Sequence, residues 1–98
     1  MSGMQEPLSK HRYTNIHEYT KARNEILLSG DPQRVSDFLA ETRAARPSSL
    51  EVAELIMHRC ITAVVTLPMS YRAKSKLWLQ ERGYRSWDDG DIPDYPQE

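Results

Sequence analysis

Few side chains in this 98-residue chain could do chemistry, and spacing decides most of the cases. His58 and Cys60 come closest to a metal or thiol pair, but two residues apart on a helix they face different sides. His11 and His17 bring no spaced ligand partner. A zinc site needs about four convergent ligands, and the chain has one cysteine. A nucleophilic triad would need its Ser or Cys framed by a sharp elbow or a glycine-rich oxyanion loop, and neither that frame nor a phosphate-binding loop can be found. The expectation is a binding protein with no catalytic residue, no cofactor and no metal, not an enzyme.

Residues suited to recognising another macromolecule gather in the last third of the chain. Arg72, Lys74, Lys76 and Arg82 meet only one opposing charge, Glu81, on a stretch that also carries Tyr71 and Trp78. Cations interleaved with aromatics can follow a phosphate backbone, so a small DNA-binding regulator using the basic helix 71–82 is the alternative function. The same stems can instead cover core edges, and a pI of about 6.3 makes direct DNA binding the weaker expectation. Further on, Trp87, Ile92 and Tyr95 alternate with Asp88, Asp89, Asp91 and Asp94. Trp and Tyr are enriched at interface hot spots. Such a tail would order against a basic, apolar-lined surface, or fold back over its own bundle. Leu67-Pro68-Met69 is first a helix stop. X-Pro bonds also interconvert slowly between trans and cis, and the sharper reading is a docking site for a host prolyl isomerase. The candidate protein-binding residues are Pro68, Tyr71, Arg72, Lys74, Trp78, Trp87, Asp88, Asp89 and Tyr95. Trp78 is equally well placed for the core.

The bulk numbers bound the setting. A chain this short supports a single core. No window reaches the roughly 18 apolar residues that a membrane span requires, and residues 1–13 have no apolar signal region. The lone Cys60 points to a reducing compartment, hence the cytoplasm. A net charge of −1 hides an asymmetry: residues 1–83 hold twelve Lys and Arg against nine Asp and Glu, whereas residues 84–98 hold Arg85 against five acids.

The elements that must position these residues are helices. Residues 1–13, with Gly3 and Pro7, read as a flexible arm. Thr14 or Asn15 can cap a first helix whose stripe is Ile16, Tyr19, Arg23, Ile26 and Leu27, stopped by Gly30. Asp31-Pro32 starts a second helix with Val35, Phe38 and Leu39 inward, ending near Ala45 or Arg46 before Pro47. Ser48 to Glu51 reads as a capping box for a third helix running to about Val65 or Thr66. Leu50, Ala53, Met57, Cys60, Ile61 and Val64 form its main stripe, widened by Val52, Ile56, Val65 and Leu67, which makes it the central helix. Ser70 caps a fourth over about 71–82, with Tyr71, Leu77, Trp78 and Leu79 apolar and Gly83 as its stop. The spacing predicts an all-α bundle of about four helices over 14–83, an irregular arm before it, and an acidic aromatic tail over 84–98.

Three stretches carry a resemblance: IHEYTKARNEILLSGDP, VVTLPMSYRAKSKLWLQERGY and WDDGDIPDYPQE. They resemble the anti-RecBCD (Abc-type) accessory proteins of Salmonella temperate phages, over nearly the whole chain. The resemblance implies a phage protein, acting in the host cytoplasm, that binds the host RecBCD helicase–nuclease through RecC. It would inhibit or modify the processing of linear DNA ends and so favour phage recombination. It implies no individual contact residues.

Overall fold

A computed structural model describes residues 15–43 and 46–88. Four helices follow one another: α1 (Ile16–Ser29), α2 (Pro32–Arg43), α3 (Leu50–Ala63) and α4 (Met69–Glu81). No strand occurs among the described residues. The protein is a small all-α bundle. The arm at 1–13 and tail residues 89–98 lie outside the described residues.

Local cap chemistry sets the boundaries. Asn15 is extended, and its side chain accepts from the Glu18 amide at 3.0 Å. Gly30 closes α1 in the left-handed region, at φ 69°, with its amide on the Leu27 carbonyl; a side chain there would be strained. Asp31 restarts the chain, its carboxylate accepting from the Gln33 amide at 3.0 Å. At the end of α4 the Tyr84 amide reaches the Leu79 carbonyl at 2.9 Å and the Gly83 amide the Gln80 carbonyl at 3.1 Å. With Gly83 at φ 76°, this is a Schellman stop.

Three expectations shift. Ser49, not Ser48, caps α3, accepting from the Val52 amide at 3.1 Å. The third helical residue is therefore Val52, and Glu51 acts on the helix dipole instead of reaching back. Helix α3 stops at Ala63 because Val64 turns extended and the Leu67 amide folds onto the Val64 carbonyl, which buries Val64 and Leu67 and leaves Val65 exposed. Pro68, not Ser70, occupies the N-cap of α4. Its carbonyl accepts from the amides of Tyr71 and Arg72, and a proline can precede a helix without wasting a donor.

Helix α3 packs against each of the other three helices. The core cluster comprises Leu27, Val35, Met57, Ile61, Val64 and Leu67, and the Tyr19 and Phe38 rings meet beside it at 5.4 Å between centroids. Ile16 and Leu50, expected in apolar stripes, are exposed. Helix α4 contacts α3 extensively and the rest of the bundle little. Its buried residues are Ser75 and Leu79, one turn apart. Leu77, two residues from each, therefore points away from the bundle.

A candidate protein-binding surface around helix α4

Helix α4 is held to α3 on one side and presents its other sides outward. On the inner side, His58 Nδ1 lies 2.8 Å from the Ser75 hydroxyl, and its ring stacks on Trp78 with centroids 4.2 Å apart and planes at 23°. The Arg82 guanidinium sits over the same indole at 4.1 Å, a favourable cation–π geometry. Glu54 approaches His58 Nε2 at 3.9 Å. Burial is the largest influence on the imidazole and pulls its pKa below the ordinary value; Glu54 opposes this and Arg82 adds to it.

Ser, His and Glu are the residue types of a hydrolytic triad, but the arrangement is that of an interhelical clasp. Ser75 is 2% exposed, so no substrate can reach its hydroxyl. The serine faces Nδ1 and the carboxylate faces Nε2, the reverse of the usual polarity. With the proton on Nε2, facing Glu54, Nδ1 accepts from the Ser75 hydroxyl and ties α4 to α3. Cys60 is half-buried against the core cluster, away from this site. Among the described residues no three His, Cys, Asp or Glu side chains converge as metal ligands, and no helix is long and apolar enough to cross a membrane.

Beyond Gly83 the chain turns back and runs along α3. Arg59 organises this return: its Nε donates to the Arg85 carbonyl at 2.9 Å, and its guanidinium lies 5.6 Å from the Tyr84 ring centroid and 5.8 Å from that of Trp87. Thr62 Oγ1 donates to the Arg59 carbonyl at 2.8 Å and accepts from the Trp87 amide at 3.2 Å. The first residues of the tail thus fold back over their own bundle.

This return encloses a groove of about 290 Å³ against the flank of α4, lined by Met69, Arg72, Ala73 and Lys76 on one wall and by Ser86, Trp87 and Asp88 on the other. Thr62 forms part of its lining, and its carbonyl accepts from Arg72 Nη2 at 3.4 Å. Arg72 Nε is shielded from solvent without an acceptor. Met69 on the groove wall (77% exposed), and Tyr71 (43%) and Leu77 (55%) outside it, stand in solvent; Lys74 and Lys76 are exposed as well.

Of the sequence-predicted residues, Arg72, Trp87 and Asp88 share the groove. Pro68 and Tyr71 are exposed at the start of α4, and Lys74 is exposed along it. Trp78 belongs to the His58 clasp. Leu67 is buried while Pro68 is exposed, and the bond between them is trans. Asp89 and Tyr95 lie outside the described residues. Sequence reasoning missed the Ser75 partner of His58, the clamp made by Arg59, and Met69, Ala73 and Thr62 as groove lining. A usable signal was Arg59 itself, a lone Lys or Arg amid the apolar third helix of a chain with Tyr84 and Trp87 just beyond Gly83.

No protein-family model, no curated protein and no solved structure matches the chain.

Proposed function

We propose that this is a non-catalytic phage protein that docks on the host RecBCD helicase–nuclease through RecC and inhibits or modifies its processing of linear DNA ends. Two things support the reading. One is the resemblance of residues 16–32, 64–84 and 87–98 to anti-RecBCD accessory proteins. The other, which carries it on structural grounds, is that α4 packs mainly on α3 and leaves Met69, Tyr71 and Leu77 in solvent, with Lys74 and Lys76 exposed on the same helix. A helix that exposes large apolar side chains rimmed by cations has the makeup of a protein-binding face, aromatic and apolar at its centre and polar at its rim. The reading extends to a host prolyl isomerase as a second partner at Leu67-Pro68; the exposure of Pro68 favours it and the burial of Leu67 weighs against it.

The test is affinity recovery of the tagged full-length protein from an enterobacterial lysate, followed by assay of purified RecBCD on linear duplex DNA. RecB, RecC and RecD should be retained together, and degradation of the duplex should change when the protein is added. Failure to retain them, combined with duplex binding that weakens steeply with salt, would instead establish the basic helix as a DNA-binding element.

A further inference from the structure

The seam between α3 and α4 holds a titratable ring. The His58 side chain is 15% exposed. Its Nδ1 lies 2.8 Å from the hydroxyl of buried Ser75, and Trp78 stacks on its face with centroids 4.2 Å apart. Both partners belong to α4, so the docking of that helix is what shields the imidazole from water.

A proton on this ring is poorly accommodated while α4 is docked. The charged groups that act on it are Glu54 from its own helix, 3.9 Å from Nε2, and Arg82 from α4. The Glu54 side chain is 40% exposed, and water screens an exposed carboxylate. Arg82 already lies 4.1 Å from the centroid of the indole on which an imidazolium would stack. Burial outweighs Glu54 and holds the pKa of the ring below 6.5. Protonation also makes Nδ1 a donor, so the Ser75 hydroxyl must turn to accept. Its own hydrogen is then left to a carbonyl of its helix.

With α4 detached, the ring stands in water and titrates near its ordinary value. Proton uptake therefore favours the detached state. The bias grows as pH falls below 6.5 and levels off below the docked value. It amounts to at most about tenfold in the opening equilibrium for each unit by which docking lowers the pKa. Detachment need not unfold the rest. Leu27, Val35, Met57, Ile61, Val64 and Leu67 form the core cluster without a residue of α4, and α4 packs mainly on α3.

We propose that the His58 clasp is an acid-sensitive latch: proton uptake on this ring releases α4 from α3 as one unit while the core cluster stays packed. The device is independent of what binds α4, and it makes any surface that α4 completes sensitive to mild acid.

Amide exchange of the full-length protein, each rate divided by that of an unstructured chain at the same pH, reads the opening equilibrium residue by residue. The amides of 69–81 should share one opening constant, larger than that of Ile61 at every pH. It should rise several-fold from pH 7.5 to pH 5, and in His58→Gln it should change little over that range. Glu54→Gln should steepen the acid response, because the carboxylate favours the protonated ring, and Arg82→Gln should flatten it. Both of these side chains are substantially exposed, so the two variants keep the test decisive if His58→Gln does not fold. The proposal is overturned by an opening constant of 69–81 that does not change with pH, or by an equal rise in His58→Gln. It is equally overturned by amides of 69–81 that open with the constant of Ile61, or by Glu54→Gln and Arg82→Gln responses that match the unaltered protein or run the opposite way.

Discussion

His58 Nδ1 and the Ser75 hydroxyl meet at 2.8 Å across the α3–α4 interface, a side-chain bond that ties α4 to its neighbour. Ser75→Ala removes the partner but not the mostly buried ring. An unsatisfied buried polar group costs about 1–3 kcal/mol, and urea denaturation should show a loss of that size. A stability unchanged to within about 0.5 kcal/mol would mean that water replaces the hydroxyl without penalty.

The same imidazole makes stability depend on pH in a defined direction. Its folded pKa lies below the ordinary value of 6.5, chiefly through burial. The folded state therefore binds a proton less readily than the unfolded chain, so the stabilisation is complete above about pH 6.5 and drains away as pH falls towards the lower folded value. The unaltered protein should lose more stability between pH 7 and pH 5 than a His58→Gln variant does, and direct titration of the ring should place its midpoint below 6.5. Equal losses in the two proteins would remove His58 as the cause.

Leu79 is fully buried and fills the α4 side of the interface. Leu79→Ala should cost about 2–5 kcal/mol, the range for core truncations. Thermal denaturation followed by circular dichroism measures it, and a cost below about 1 kcal/mol would show that α4 docks without it.

Arg59→Ala should free the returning segment and spare the bundle. Each partly exposed cation–π contact contributes about 0.5–1 kcal/mol, and the hydrogen bond to the Arg85 carbonyl goes with them. Amide exchange at Trp87 should accelerate several-fold, with no comparable change at Met57 or Ile61. Unchanged exchange at Trp87 would assign the return to Thr62 alone.

If α4 is the docking face for RecBCD, Tyr71→Ala with Leu77→Asp should weaken retention of the complex. Hot-spot losses of about 2 kcal/mol correspond to roughly thirty-fold in affinity. Gln33→Ala, on the far helix α2, serves as the control and should bind as the unaltered protein does. Equal binding by all three proteins would move the interface elsewhere.

The four helices were legible because their signals are local. Asn15, Gly30, Asp31-Pro32 and Gly83 act within one turn of themselves, and cap chemistry needs no tertiary partner. The central place of α3 was legible too, since apolar residues on most of its circumference leave no face for water. The rotation of α4 was not. Tyr71, Leu77, Trp78 and Leu79 satisfy an apolar count, yet the buried face is set by Ser75 and Leu79 one turn apart. A serine that bonds a histidine seventeen positions away leaves no trace in periodicity. The return of residues 84–88 was similarly hidden, because Arg59 and Trp87 are brought together by the turn at Gly83 and by no shared pattern. Of the candidate residues, Arg72, Trp87 and Asp88 converge on one groove, while Trp78 is taken up by the clasp.

The core cluster of Leu27, Val35, Met57, Ile61, Val64 and Leu67 draws on α1, α2, α3 and the turn after α3, and on no residue of α4. The last helix is therefore a separable leaf. It can detach in a sub-global opening that leaves the apolar centre dry, at a free energy below that of complete unfolding. Native-state exchange under increasing urea should release the amides of 69–81 as one cooperative step ahead of those in α3, and the fourth helix would then be the least expensive part of this protein to rearrange when something binds to it.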